Sequence, residues 1–543
     1  MNRGTSRGAA VDRAGALDLG GRLGVRDVAE VARRRRQVAP LSGACLERVE
    51  TSRAVVEGVL ESDDRPVYGI TTGYGALAGV RIRPEDSSRL SCNVILKCAV
   101  GVGDPMPEDW TRAMLLARAR SLSLGCSGVR PVIVDTLVEM LNRGVTPVVP
   151  QKGSLGASGD LAPLAHAALV ATRAADEGIP GGSGEAWWRG ERMSGARAMR
   201  EAGIERPVPL GKEGLGLTNG SAFMTSAAAL ALCDSETVLR AAVVATALSF
   251  EALRGRTAAL DERLNAASVQ SGQMTVAAYL RDMLQGSRLI EPPPGITQDA
   301  YSLRCTPQVL GPVADMLGYL ASRVGRTLNA ANDNPLVFPA DGDRPASIVQ
   351  GGNFHGAGPA LWLDTLGIAM CEVASISDRR SFRMLTPELS RGLPSMLSPD
   401  PGLNGGMMSV QYTGAALVSD NKTLASPDSV DSIPTSANQE DHVSMGANAA
   451  RRCREIISNV RTVVAIELLL AAQGVWLRPA GPESLSPATR MAYDAVRAQC
   501  PPLETDRPLA AEIDTIDRMI ASGEFTGPGS PVADWDLLAD AAD

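Results

Sequence analysis

Gly153-Ser154-Leu155-Gly156-Ala157-Ser158-Gly159-Asp160-Leu161-Ala162-Pro163-Leu164-Ala165-His166 joins a run of tight turns to the start of a helix. Proline is tolerated only in a first helical turn, and Leu164 to Leu169 continue well as helix, so the spacing predicts a helix beginning just after Asp160. Ala157-Ser158-Gly159 then sits at its positive end. The amide nitrogen of Gly159 is unhindered, and Gly156 lets the chain bend enough for that nitrogen to approach the carbonyl carbon of Ala157. Cyclisation and loss of two waters, one from Ser158, would leave a ring with an exocyclic methylidene, made more electron-poor by helix-end amides. For an isolated Ala-Ser-Gly the plainer reading is a Gly-rich helix start that turns the chain or binds an anion.

Outward from this loop, helical patterns alternate with Gly/Pro-rich segments from Val25 to about Gly220, among them Tyr68-Gly69-Ile70-Thr71-Thr72-Gly73-Tyr74-Gly75. Ser221 to Leu284 is largely Ala, Leu and Val with sparse charge, the pattern of one or two long helices buried on most sides. Comparable runs follow at 308–329, 356–382, 411–424 and 444–473, so the core is expected to be a helix bundle. Glu291-Pro292-Pro293-Pro294-Gly295 and residues 395–406 read as linkers. The expected organisation is a disordered Gly/Arg/Ala-rich extension over 1–24, an N-terminal lobe over 25–220, a central helical bundle over 221–478 and a small C-terminal helical lobe over 479–543.

The bulk composition narrows the class of partner. A net charge of -8 is spread rather than blocked, so no nucleic-acid face is announced and the expected partner is a small molecule or another copy of the chain. Nine cysteines occur singly and no secretory segment opens the chain, which reads as reducing cytoplasm. Apolar stretches such as 241–250 and 463–470 are too short, or carry a charge such as Glu467, to cross a bilayer, so no membrane is expected. The three histidines, His166, His355 and His442, stand at no metal-ligand spacing, and no metal is expected. Each histidine is read first as structural. Aromatic residues make up only 3%, which favours close-packed helices.

The full string from Gly153 to His166 resembles the signature of the histidine, phenylalanine and tyrosine ammonia-lyases and the related 2,3-aminomutases. Further blocks match in order: Tyr68-Gly-Ile-Thr-Thr-Gly-Tyr-Gly, Gly214-Leu-Gly-Leu-Thr-Asn219-Gly, Gln298-Asp-Ala-Tyr301-Ser-Leu-Arg304-Cys, Asn332-Asp-Asn-Pro, Gly352-Asn353-Phe354-His355-Gly and Ser436-Ala-Asn-Gln439-Glu440-Asp-His442-Val-Ser-Met. The resemblance spans roughly 25–520. It implies a mainly α fold of the histidine/phenylalanine ammonia-lyase kind within the fumarase/aspartase-like superfamily, a long central bundle with an N-terminal lobe bearing the ring. It also implies a homotetramer whose active sites combine chains.

The same resemblance implies the site. Ala157, Ser158 and Gly159 would form a 4-methylidene-imidazol-5-one ring autocatalytically, with no external cofactor. Tyr68 would remove the β-proton, and Tyr301 would stand as a second tyrosine near the ring. Arg304 would grip the substrate carboxylate through two parallel charge-assisted bonds. Asn219 would bond the ring or the carboxylate, Phe354 would pack nearby, and Gln298 is placed with the substrate-binding residues. The reaction implied is elimination of ammonia from an L-α-amino acid to give an α,β-unsaturated acid. A 2,3-aminomutase would use the same residues, and retention of the product depends on loop closure that one sequence does not expose. A third reading, an inactive structural or regulatory relative, is opposed by the intact Ala157-Ser158-Gly159, Tyr68, Tyr301 and Arg304. Fumarase/aspartase enzymes proper would need a Gly-Ser-Ser-x-Met-Pro loop, which is not found.

Substrate choice is where the chain departs from these relatives. Lys97-Cys98 occupies the selectivity pair, where histidine lyases resemble Ser-His, tyrosine lyases His-Leu and phenylalanine lyases Phe-Leu. Glu440 in its block is close to the histidine-lyase form, whereas Thr71 resembles the tyrosine lyases. The chain looks nearest to histidine ammonia-lyase, acting on a histidine-like or another polar or aromatic side chain. Lys97 and Glu440 are expected to select a polar, non-standard side chain together, the alternative being that Lys97 points to solvent past the pocket rim.

Overall fold

Local sequence sets the ends of the elements. Pro131 opens the helix Pro131–Arg143, and Gly144, in the left-handed region at φ 74°, closes it. The helix Leu161–Ala171 begins directly after Asp160 with Pro163 in its first turn, as the spacing predicts. Ala, Leu and Val packed at every turn give the 31-residue helix Ala222–Ala252, almost wholly buried. The other apolar runs become the helices Thr306–Leu328, Ala357–Leu385, Met408–Leu424 and Gly446–Leu477.

The computed structural model describes residues 15–62, 66–174, 178–291 and 296–539. The fold is mainly α, and the chain divides into two compact units. The first comprises 1–230, 323–363 and 427–451. Its helices include Val25–Arg33, Gly43–Ser62, Ser87–Cys98, Glu108–Ser123 and Pro131–Arg143, supplemented by three small antiparallel sheets. In one of these, Val102–Pro105 pairs with Pro150–Lys152 just ahead of the Gly153 loop. The second unit comprises 231–322, 364–426 and 452–543 and is built of helices, with Ser271–Met283, Pro487–Gln499 and Ala510–Ser522 beside its share of the long ones.

These divisions differ from the sequence expectation. Of the 1–24 extension, residues 1–14 lie outside the described residues, whereas 15–24 are part of the first unit. Leu17 bridges Val38, its N–H donating to Gln37 O at 2.8 Å, and Leu17, Leu19 and Leu23 are all buried. Asn329 fixes this segment by accepting from Leu23 N and donating to Leu23 O. Gly and Arg between the leucines hide their burial from a periodicity reading. The 479–543 stretch is not a separate lobe but part of the second unit, apart from residues 540–543, which are not described. Of the proline linker at 291–295, residues 292–295 lie outside the described residues.

In the second unit Glu467 and Arg380 are fully buried and form a two-bonded ion pair at 2.5 and 2.8 Å, with Ser249 and Ser377 also donating to the carboxylate. Every carboxylate lone pair facing the core is thereby used, which is what makes a buried charge tolerable. Two helices, Ala357–Leu385 and Gly446–Leu477, are longer than the apolar runs read from sequence and could cross a membrane by length and composition. Their apolar windows are 50% and 78% buried in the molecule, and Glu467 lies within the second helix.

Candidate active site

The Gly153–Asp160 loop of the first unit is a tied turn. Ser154 Oγ accepts from Gly156 N at 3.1 Å and donates to Gly159 O at 3.3 Å. Gly156 and Gly159 both adopt left-handed conformations, φ 70° and 74°. Neither could carry a side chain: a Cβ at 156 would stand 2.2 Å from Ser444 Oγ, and one at 159 would stand 2.3 Å from Gly220 O. The glycines flank a buried Ala157 and a half-buried Ser158.

Three further segments of the same unit close on this turn. Gly159 bridges Gly220, with Asp160 N donating to Gly220 O at 2.8 Å. Asn219 Nδ2 donates to Ser158 O at 3.2 Å. Ser158 Oγ donates to Glu440 Oε1 at 2.5 Å, and Glu440 Oε2 accepts from Thr435 Oγ1 at 2.8 Å. Met445 N donates to Leu155 O, and Gly356 N to Gly156 O, which joins the Phe354 loop to the turn. Phe354 itself is half-buried.

Glu440 is held by an unusual backbone. Ser436, Ala437 and Asn438 all have positive φ, 52°, 51° and 68°, and Thr435 and Glu440 pair across them as an isolated bridge. Positive φ at a residue with a Cβ costs of order 1–3 kcal/mol and persists where surrounding structure holds it. No sequence signal marks this strain.

Tyr68 is half-buried, and its phenolic oxygen accepts from Gly75 N at 3.0 Å within the loop 68–75. Thr71 Oγ1 accepts from Val67 N at 2.8 Å. Tyr74, in the same loop, carries Lys97 over its ring at 4.2 Å. Burial, with Cys98 and Tyr68 nearby, pushes the Tyr74 phenol up to about 12. Cys98 is buried and its thiol is raised chiefly by burial, with Lys97 lowering it and Glu440 raising it. No direct Lys97–Glu440 contact occurs among the described residues. Lys97 is exposed, with its ammonium on Tyr74, and Glu440 is engaged by two hydroxyls.

Asp160 is fully buried below the turn. Its Oδ2 accepts from Phe223 N at 2.8 Å and Met224 N at 3.1 Å, the start of the 222–252 helix, while Oδ1 has no hydrogen-bond partner among the described residues. Burial pushes its carboxyl up to about 7, against the pull of those two N–H groups and of Arg118. In sequence Asp160 marks only a helix boundary. His166 Nε2 accepts from Gly101 N, and burial lowers its imidazole. The His355 and His442 rings stack at 5.8 Å, and His355 Nε2 lies 3.1 Å from His442 O. All three histidines are thus occupied in holding loops.

In the second unit, Arg304 stacks on Tyr301 at 4.5 Å and donates from Nε to Asp299 O at 2.9 Å, while Asp299 Oδ1 takes a bond from Arg391. Tyr301 is 70% exposed, and Gln298 is exposed as well.

A helical scaffold presenting a constrained Ala-Ser-Gly turn, with a carboxylate on the serine and a tyrosine loop in the same unit, defines an enzyme of the carbon–nitrogen lyase class, and its reaction is elimination of ammonia. The family model for aromatic amino acid lyases matches residues 23–498, and the chain belongs to that family. It is 46% identical over 520 residues to a histidine ammonia-lyase of Symbiobacterium thermophilum, covering 95% of this chain and 99% of that one. Among solved structures, a tyrosine aminomutase from Streptomyces globisporus superimposes with a TM-score of 0.87 at 34% identity, covering 94% of this chain and 97% of that one. A histidine ammonia-lyase from Trypanosoma cruzi gives 0.83 at 35% identity, covering 94% and 93%.

Proposed function

We propose that this lyase acts on an L-α-amino acid with a histidine-like or other polar or aromatic side chain, releasing ammonium and an α,β-unsaturated acid in amino acid metabolism, and that its electrophile is a 4-methylidene-imidazol-5-one ring made from Ala157, Ser158 and Gly159. The observation that carries this reading is the turn itself: left-handed glycines at 156 and 159, a serine hydroxyl already held by Glu440, and Asn219 on the Ser158 carbonyl. The residues fit such a group, since the positions on which it depends exclude any side chain at 159. What the ring supplies is an electron-poor carbon for the substrate amine, which turns a poor leaving group into a good one.

The chain's own residues do the rest. Tyr68 takes the β-proton at its phenolic oxygen, which the N–H of Gly75 holds in place. Asn219 holds the carbonyl at 158, and Arg304 grips the substrate carboxylate, with Gln298 as a further substrate-binding residue. Tyr301 acts as a second catalytic tyrosine near the ring and Phe354 packs beside it, while Lys97, Cys98 and Glu440 meet the substrate side chain. A homotetramer with shared active sites accounts for an exposed Tyr301 and Gln298. We place the enzyme in the cytoplasm, with its nine cysteines unpaired.

A 2,3-aminomutase is the second reading, and its support is the likeness to the tyrosine aminomutase fold. An inactive relative is the third, opposed by the intact serine and its carboxylate partner. The test is intact mass. The purified chain is expected to weigh two waters less than its sequence and the Ser158→Ala protein to lack that loss and all turnover; full sequence mass in the parent protein rejects the ring.

A further inference from the structure

The first unit holds a cluster of buried charge that the reaction above does not use. Lys212 Nζ donates to Asp333 Oδ2 at 2.6 Å, with both side chains fully buried. Arg118, on the 108–123 helix and equally buried, donates from Nε to Gly216 O at 2.7 Å and from Nη1 to Asn332 Oδ1 at 3.1 Å, and its Nη2 lies 3.9 Å from Asp333 Oδ2. Asn332 Oδ1 takes a second bond from Ser121 Oγ at 2.9 Å. Apolar residues of the same volume would stabilise a core at least as well as three buried charges, so stability alone does not account for the cluster.

What the cluster touches is Gly220. A Cβ there would stand 2.5 Å from Arg118 Nη1 and 2.7 Å from both oxygens of Asn332, so the Gly220 backbone lies directly on the pair. On its other side Gly220 O receives Asp160 N and abuts Gly159, while Asn219 reaches Ser158 O. Asn219-Gly220 is thus a two-residue strip between the buried pair and the tripeptide.

We propose that Arg118 and Asn332, anchored by Asp333 and Lys212, are positioning residues for ring closure, fixing the Asn219-Gly220 strip so that it holds Ser158 and Gly159 in the turn that closes. The inference rests on the ring-forming reading. In that closure Gly159 N bonds to the Ala157 carbonyl carbon. The Ala157 oxygen leaves as water with the amide protons of Ser158 and Gly159, and the Ser158 hydroxyl leaves as a second water with the Ser158 Cα proton. No oxidant or reductant is needed. The strip contributes only geometry, which is the term that makes an intramolecular attack fast.

The test follows intact mass against time after cell-free synthesis of the full chain, comparing the parent protein with Arg118→Lys, Asn332→Ala and Ser121→Ala. Val138→Ala, a buried change in the 131–143 helix, serves as the control for general destabilisation. The first two variants are expected to accumulate soluble, folded chain that keeps both waters, with kcat per chain falling in proportion and KM unchanged. Ser121→Ala removes one hydroxyl, with its bonds to Asn332 Oδ1, Asn332 N and Ala330 O, and leaves the Arg118–Asn332 contact in place; its ring formation is expected to slow by at least about five-fold, the factor for one lost hydrogen bond. Loss of both waters at the parental rate in Ser121→Ala, or equal slowing in Val138→Ala, overturns the proposal. A parent protein that never loses the waters instead removes the ring reading, and the inference with it.

Discussion

Ser158 and Glu440, 282 positions apart in the chain, meet with Oγ donating to Oε1 at 2.5 Å. The contact places the carboxylate on the hydroxyl that ring formation would expel. Its other oxygen is held by Thr435, across a strained 436–438 turn.

Thr435→Val should therefore loosen Glu440 without removing it. The expected cost is about 1 kcal/mol, or roughly five-fold in kcat/KM, with thermal stability nearly unchanged. Steady-state kinetics beside a melting curve checks this, and unchanged kinetics would show that the Thr435 bond does no positioning.

Tyr68→Phe keeps the ring of the side chain and removes only the oxygen that accepts from Gly75 N. The expected loss is about 10²–10⁴-fold in kcat, with the two waters still lost on intact mass. Near-parental turnover would assign the β-proton to another base.

Asp160 gives a pH signature. Its carboxyl is pushed up to about 7 in the folded protein, while the unfolded chain ionises near pH 4. Between those values the folded state binds more protons, so the stability that this group contributes is full below about pH 4 and is lost as pH rises through 7. Asp160→Asn cannot titrate, and its thermal midpoint relative to the parent should climb between about pH 4 and about pH 7 and level off above that. A constant difference across that range would contradict the assignment.

Lys97 stands over Tyr74, and Cys98 is buried beside it. Replacing the pair by the histidine-lyase form, Lys97→Ser with Cys98→His, should raise kcat/KM on histidine by at least about ten-fold, or roughly 1.4 kcal/mol of differential binding. Lys97→Met alone should alter selectivity among polar side chains. Unchanged selectivity in both proteins would move side-chain recognition elsewhere.

Much of this architecture is legible in the chain because its strongest signals are local. Pro163 fixes where the 161–171 helix starts, and unbroken Ala/Leu/Val runs fix the long helices. Glycines at 156 and 159 announce a turn before any coordinates do. What stays hidden depends on tertiary contact. Leu17, Leu19 and Leu23 carry no periodicity, yet they are buried. The strain at Ser436 and Ala437 occurs at residues with no preference for positive φ, and it exists because the surrounding loops impose it. Tyr74 and Asp160 sit inside motifs whose other members drew attention, and their roles emerge from burial and from partners far away in sequence.

The central claim is elimination by a lyase, and product analysis tests it most directly. The purified full chain would be incubated with histidine, tyrosine, phenylalanine, aspartate and glutamate, with α,β-unsaturated acid, ammonium and β-amino acid followed together by mass spectrometry. The account predicts unsaturated acid and ammonium appearing in equal amounts from one of these substrates, whereas a β-amino acid accumulating first would contradict it and make the enzyme an aminomutase.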